Sequence, residues 1–126
     1  MKLRIHGDEL RLRLNQAEVG QFSKTGWLEE TLEFAPGATL SYALESLTSV
    51  SDPRAAYQNG ALRIQVPAGM ANAWVTTDQV GIKGDQTLAT GKHLSLLIEK
   101  DFKCVHSANP DPDAYPNPLQ EAGAER

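Results

Sequence analysis

The sequence predicts an α+β domain made of two similar halves, each consisting of a β-hairpin, a short helix and a second β-hairpin. A two-residue turn precedes a run of alternating apolar residues twice, at Gly7-Asp8 and at Asn59-Gly60. Asn-Gly is the strongest short hairpin signal, because both residues tolerate positive φ. A shift of 52 residues superimposes the two runs, so that Leu10, Leu12 and Leu14 fall on Leu62, Ile64 and Val66. We therefore predict an internal duplication.

In the first half, capping signals define the helix between the two hairpins. Asn15 is followed three residues later by Glu18, which is the pattern of a capping box, and Gly26 is typical of a helix C-terminus. The predicted elements are strands at 2–6 and 9–14, a helix at 16–24, and strands at 28–34 and 38–45.

The second half repeats this order. Pro67 suits the first turn of a helix, because its missing N–H would have no partner there. The predicted elements are strands at 54–58 and 61–66, a helix at 67–75, and strands at 79–84 and 93–101. The two repeats thus cover about 1–50 and 53–105.

Pairing across each two-residue turn gives both hairpins one apolar face, as expected for strands covered on one side. We expect about eight antiparallel strands in one curved sheet or barrel, with two short helices. Two four-stranded sheets packed face to face are the alternative. This domain is predicted to span 1–107, and 108–126, with four prolines, is predicted to be an extended tail.

Charge and composition exclude several classes of partner. The net charge is −4, of which the tail carries −3, so the body has no basic excess for nucleic acid or anionic lipid. No apolar run approaches the length of a transmembrane helix, and no signal-peptide pattern follows Met1. One cysteine, Cys104, cannot form an internal disulfide, which fits a cytoplasmic protein.

The polar face of the first hairpin raises an electrostatic question. The predicted register places Lys2 opposite Arg13 and Arg4 opposite Arg11, and like charges directly opposite each other are destabilising. In one interpretation, neighbouring acidic strands neutralise them, namely the third strand with Glu29 and Glu33 and the last strand with Glu99 and Asp101. In the other, part of the cluster binds phosphate or carboxylate, which match the arginine fork. The ligand-binding residues would then be Arg4, Arg11, Arg13, Arg63, Glu99 and Asp101.

A second candidate site lies after the last strand. Cys104 and His106 are two residues apart, so on an extended strand they point the same way and could bind a divalent metal such as zinc. The alternative is a half-buried cysteine beside a surface histidine, with no metal. No other cofactor is predicted, since the chain has no Gly-rich phosphate loop, HExxH, Cys-x-x-Cys or nucleophile elbow.

Three stretches, LRLRLNQAEVGQF, LRIQVPAGMANAWVTTDQVGIKG and LLIEKDFKCVH with DAYPNP, resemble a family of short bacterial proteins catalogued only as a domain of unknown function. The resemblance implies a bacterial, single-domain, cytosolic protein and no particular activity. We predict a non-enzymatic binding or interaction module, with a homodimer through a sheet edge or an apolar patch as one form. The alternative is a protein that binds, or with a metal hydrolyses, a small anion.

Overall fold

The structure is a computed structural model that describes residues 1–102. The predicted order of hairpin, helix and hairpin occurs twice in it. Cys104, His106 and the proline-rich segment 108–126 lie outside the described residues. The elements are β1 (Lys2–His6), β2 (Glu9–Leu14), α1 (Gln16–Thr25), β3 (Trp27–Ala35), β4 (Ala38–Leu47), β5 (Arg54–Gln58), β6 (Ala61–Pro67), α2 (Ala68–Thr76), β7 (Gly81–Thr87) and β8 (His93–Lys100).

The eight described strands form two four-stranded sheets, which was the alternative to one curved sheet or barrel. The first sheet has the order β1-β2-β8-β7 and the second sheet the order β3-β4-β6-β5. Each helix connects a strand of one sheet to a strand of the other, so the two hairpins of one half lie in different sheets. Each sheet therefore combines the first hairpin of one half with the second hairpin of the other.

The centre of each sheet corrects the expectation that all strands are antiparallel. The hairpin pairs are antiparallel, but β2 runs parallel to β8 and β4 runs parallel to β6. All four of these strands run towards the end of the molecule where the helices lie, because β2 and β6 lead directly into α1 and α2. We call this the helical end, and the end with the turns at Gly7 and Gly60 the open end.

The inner faces of the two sheets share one apolar core, which the helices close at the helical end. Its largest fully buried side chains are Trp74, Phe22, Leu12, Leu14, Leu44, Ile64, Ile98 and Val66. Phe22 of α1 meets Trp74 of α2 edge to face, with ring centroids 6.2 Å apart. The alternation of apolar residues in β2 and β6 thus predicts the core correctly.

Side chains, rather than strand pairing, connect the edges of the two sheets. On one side, the amide of Gln86 in β7 accepts from Ala55 N at 2.7 Å and donates to Ala55 O at 3.2 Å in β5. On the other side, the amino group of Met1 contacts the carboxylates of Glu18 and Glu30. Tyr42 donates its hydroxyl to Met1 O at 3.1 Å. The residue just before β1 therefore contacts side chains of β3 and β4, and the edge strands β1 and β3 lie on the same side of the molecule.

Tyr42 makes this contact sensitive to alkaline pH. Burial, and next the charge of Glu30, raise the pKa of Tyr42 above its usual value. At high pH the unfolded state therefore loses the phenolic proton before the folded state does, and stability falls as pH rises. We expect wild type to lose more stability than Tyr42→Phe between about pH 8 and about pH 11, measured by urea unfolding. Equal losses would contradict this assignment.

Candidate functional site

The outer face of the first sheet carries the predicted cluster of cations. The register confirms that Lys2 lies opposite Arg13 and Arg4 opposite Arg11. Continuing from Arg11 across the sheet, Leu97 of β8 and then Lys83 of β7 occupy the same row. We call Arg4, Arg11 and Lys83 the basic row.

The pairing of β8 with β2 explains how the first hairpin tolerates like charges opposite each other. It places the carboxylates of Glu99, in β8, and of Asp101, just after β8, beside the cations. Arg13 Nε donates to Glu99 Oε1 at 2.7 Å, and Arg11 Nε lies 3.7 Å from the same oxygen. Lys2 Nζ is 3.4 Å from Asp101 Oδ2. Attraction to β8 thus offsets the repulsion within the hairpin, although each exposed pair contributes only about 0–1 kcal/mol.

Part of the basic row is not neutralised within residues 1–102. Arg4 and Lys83 form no ion pair there. Arg11 Nε is buried and has no hydrogen-bond partner among the described residues, since Glu99 Oε1 is 3.7 Å away and Glu9 lies 3.5 Å from Nη2 instead. A buried donor without an acceptor costs about 1–3 kcal/mol, so an acceptor at this position would stabilise the fold.

The structure places five of the six predicted ligand residues on this face and separates the sixth from them. Arg63 is in β6 of the second sheet, where its guanidinium carbon lies 5.6 Å from the ring centroid of Trp27 in β3. The side chain crosses β4 at Ala43, which is only 1% exposed. In the second half, Arg63 therefore stacks on the ring of Trp27, which lies on the outer face of the second sheet rather than in the core.

The acidic strand of the first half is also in the second sheet. Glu29 and Glu33 of β3 alternate with apolar residues, and they do not neighbour the basic hairpin of their own chain. Residues 27–47 contain four glutamates and no lysine, arginine or aspartate. Glu29 and Glu33 form no ion pair within the described part of the chain. The acidic β3–β4 hairpin and the basic β1–β2 hairpin thus remain separate surfaces.

An exposed apolar surface lies at the open end. The alternation of apolar residues within single strands does not indicate it. A cleft of about 430 Å³ opens there between the sheets, lined by Leu3, Ile5, Leu10, Leu40, Ala55, Ala56, Tyr57, Leu62, Leu88 and Leu94. Ile5 is 64% exposed, Leu32 is 52% exposed and Phe34 is 70% exposed. Leu32 lies opposite Leu40 across the β3–β4 hairpin, so the surface continues from the cleft onto β3.

We call Ile5, Leu32 and Phe34 the apolar seam, because they lie on β1 and β3, the edge strands of the two sheets on the same side of the molecule. The exposure of Leu32 and Phe34 arises from strand length. The last pair between β4 and β6 towards the open end is Ser41 with Ala61, so the tip of the β3–β4 hairpin extends beyond its neighbour. This difference in length between the hairpins was the available signal in the sequence.

The described residues show neither a metal site nor a membrane helix. Within 1–102, no group of three or more His, Cys, Asp or Glu side chains is arranged to hold a metal ion. None of the helices in that range is long and apolar enough to cross a membrane.

Comparison with protein families relates the chain to a family whose function is unknown. The model of a family described only as a family of unknown function (DUF7009) matches residues 1–119. The chain belongs to this family. No curated protein and no solved structure matches it. Family membership confirms the resemblance found in the sequence, and any function has to be argued from the surfaces described above.

Proposed function

We propose that this protein is a non-enzymatic interaction module that binds a protein partner through the apolar seam and the adjoining cleft. The carrying observation is that three large apolar side chains, each more than half exposed, lie on the two edge strands at one side of the molecule. Contiguous exposed apolar surface on a folded protein is typical of an interaction site. Edge strands with free backbone groups add the capacity to pair with another chain.

The same proposal includes the finer inferences from the sequence. A duplicated bacterial domain in the cytoplasm would explain the repeated order of elements and the single cysteine. The arrangement of the hairpins in the two sheets supports the duplication, because β2 pairs with β8 and β4 pairs with β6 in the same parallel orientation.

Site-specific photo-cross-linking in the native cell tests the interaction surface. A benzophenone amino acid replaces Phe34 in the full chain, and in a matched control it replaces Val80, which is 54% exposed just before β7. We expect position 34 to form an adduct with a defined protein, identified by mass spectrometry, and position 80 to form none. The partner would contact the seam directly, because benzophenone reacts only with atoms close to it.

The adduct also has to depend on the rest of the seam. Ile5→Ser together with Leu32→Ser should abolish the adduct at position 34 while leaving the far-ultraviolet circular dichroism unchanged. Equal adducts at positions 34 and 80, or an adduct that survives the double substitution, would refute the proposal.

A second candidate function is the binding of a small anion at the basic row. The specific observation in its favour is that, within residues 1–102, the buried Arg11 Nε lacks a hydrogen-bond acceptor and the nearby Arg4 forms no ion pair. Phosphate or a carboxylate would supply that acceptor and bridge both guanidinium groups. Metal-assisted hydrolysis of the anion would need residues outside the described part, such as Cys104 and His106.

A thermal-shift screen of the full chain tests the anion site against phosphate, pyrophosphate and citrate, each with and without Mg²⁺ or Zn²⁺. A ligand at about 100 times its dissociation constant should raise the free energy of unfolding by about 2.7 kcal/mol. Arg4→Ala and Arg11→Ala should abolish the shift, whereas Arg54→Ala, exposed on the second sheet, should retain it. No shift with any anion would exclude this function.

A further inference from the structure

Two edge strands of opposite charge, β1 of the first sheet and β3 of the second, lie on the same side of the molecule. The edge of β1 presents Lys2 and Arg4, and the edge of β3 presents Glu29 and Glu33. Neither outer edge pairs with another strand among the described residues. The opposite side differs, because Gln86 bonds to the backbone of β5 and Pro53 packs closely on Gly84 of β7 there.

We propose that the partner of the apolar seam is a second copy of this chain, with β3 of each copy pairing in parallel with β1 of the other. The inference rests on the proposed function and names its partner. A half-turn about an axis parallel to the strands brings the two sides together. It places the second sheet of one copy level with the first sheet of the other, so both sheets extend across the interface to eight strands.

Strand direction agrees with this arrangement. β1 starts at the helical end, since Lys2 lies opposite Arg13 near the end of β2, and β3 starts directly after α1. Both strands therefore run towards the open end, and rotation about an axis along them preserves that direction. The resulting pairs are parallel, as the central pairs β2·β8 and β4·β6 already are.

The side chains of the two edges match on both faces. On the outer faces, Glu29 and Glu33 of one copy join Arg4 of the other, and none of the three has an ion pair within 1–102 of its own chain. The net charges of the two hairpins are also opposite, since residues 27–47 have a net charge of −4 and residues 2–14 have a net charge of +2. Such complementarity selects the partner and its register.

The inner faces meet through apolar residues. Leu32 and Phe34 of β3 come beside Leu3 and Ile5 of the partner's β1, so all three residues of the apolar seam are covered. Every contact occurs twice, because a two-fold interface uses the same patch on both subunits. A different protein would have to offer an acidic and a basic edge at once, whereas a second copy offers both without further requirement.

Sedimentation equilibrium of the full chain, with charge reversal, tests the dimer. We expect wild type to be dimeric. Arg4→Glu alone, and Glu29→Lys with Glu33→Lys, should each weaken dimerisation by about 100-fold, because like charges then face each other across the interface. Mixing the two variants should restore a heterodimer, because one of its strand pairs then has the wild-type charges and the other has the charges of both strands reversed. Lys83→Glu reverses a cation of the same basic row on the far edge strand and should leave the dimer intact.

The possible results separate this inference from the function on which it rests. A monomeric wild type, or charge reversals that do not rescue each other, overturns the dimer. If position 34 then still cross-links to a different protein, the interaction module stands and only its partner is wrong. If position 34 forms no adduct and any dimer survives Arg4→Glu, both proposals fail. Unchanged circular dichroism of each variant ensures that a monomer is not merely an unfolded chain.

Discussion

Replacing Trp74 with alanine should lower the free energy of unfolding by about 3–5 kcal/mol, the range for a fully buried tryptophan. Trp74 is 0% exposed, and its ring joins the two helices through Phe22. It also connects α2 to the start of β7, because Nε1 donates to Val80 O at 3.0 Å. Since small domains have about 5–15 kcal/mol of stability, this one substitution removes a large share.

Urea unfolding followed by far-ultraviolet circular dichroism measures this effect, with two matched variants. Trp74→Phe keeps most of the ring contact and leaves Val80 O without its donor, so its loss should be intermediate. Trp27→Ala removes the same side chain from the outer face of the second sheet, where the tryptophan is only half-buried, and should cost less. A loss for Trp74→Ala no larger than that for Trp27→Ala would show that the two helices are not joined as described.

Local signals predicted the elements of the fold well, because turns and caps are encoded by neighbouring residues. The strands 2–6, 9–14 and 54–58 agree with the structure to the residue. The capping box at α1 forms as predicted, with Asn15 Oδ1 accepting from Glu18 N and Glu18 Oε1 accepting from Asn15 N, both at 2.9 Å. These contacts span three residues and need no tertiary information.

Pairing between distant strands could not be derived in this way. β3 carries Glu29 and Glu33, and β8 carries Glu99, so either strand could have neutralised the first hairpin. Only the crossing of α1 from one sheet to the other decides that β8 lies beside β2 and β3 does not. The same crossing places Arg63 on the opposite side of the molecule from Arg11. A repeat in sequence therefore predicted equivalent hairpins and could not predict a common site.

The exposure of the apolar seam could not be predicted from the sequence, for a related reason. Alternating leucine and glutamate in β3 indicates a strand with one buried face, and the first inner residue, Leu28, is buried as expected. Leu32 is half exposed because no strand of the opposite sheet covers the tip of this hairpin. Exposure there depends on the register between β4 and β6, which a single-strand pattern does not contain.

That register depends on one glycine, and Gly60→Ala should lower the free energy of unfolding by about 2–4 kcal/mol. Gly60 has a φ of 77°, in the left-handed region that costs a residue with a Cβ about 1–2 kcal/mol. A Cβ built there would also lie 2.8 Å from the backbone oxygen of Thr39 in β4. Because Ser41 N donates to Gly60 O at 2.9 Å, the turn cannot move away without breaking the parallel pair.

Gly7→Ala is the matched control, because Gly7 occupies the corresponding turn of the first half. Its φ is 57°, but a Cβ there would meet nothing within 4 Å, so only the conformational cost applies. The difference between the two variants in urea unfolding therefore measures the contact between the β5–β6 turn and β4. Equal losses of unfolding free energy in the two variants would mean that β4 moves away at Thr39 at little cost in free energy. If β4 shifts instead of the turn, Gly60→Ala should also displace the acidic β3–β4 hairpin and weaken the proposed dimer, whereas Gly7→Ala should leave β3 in place.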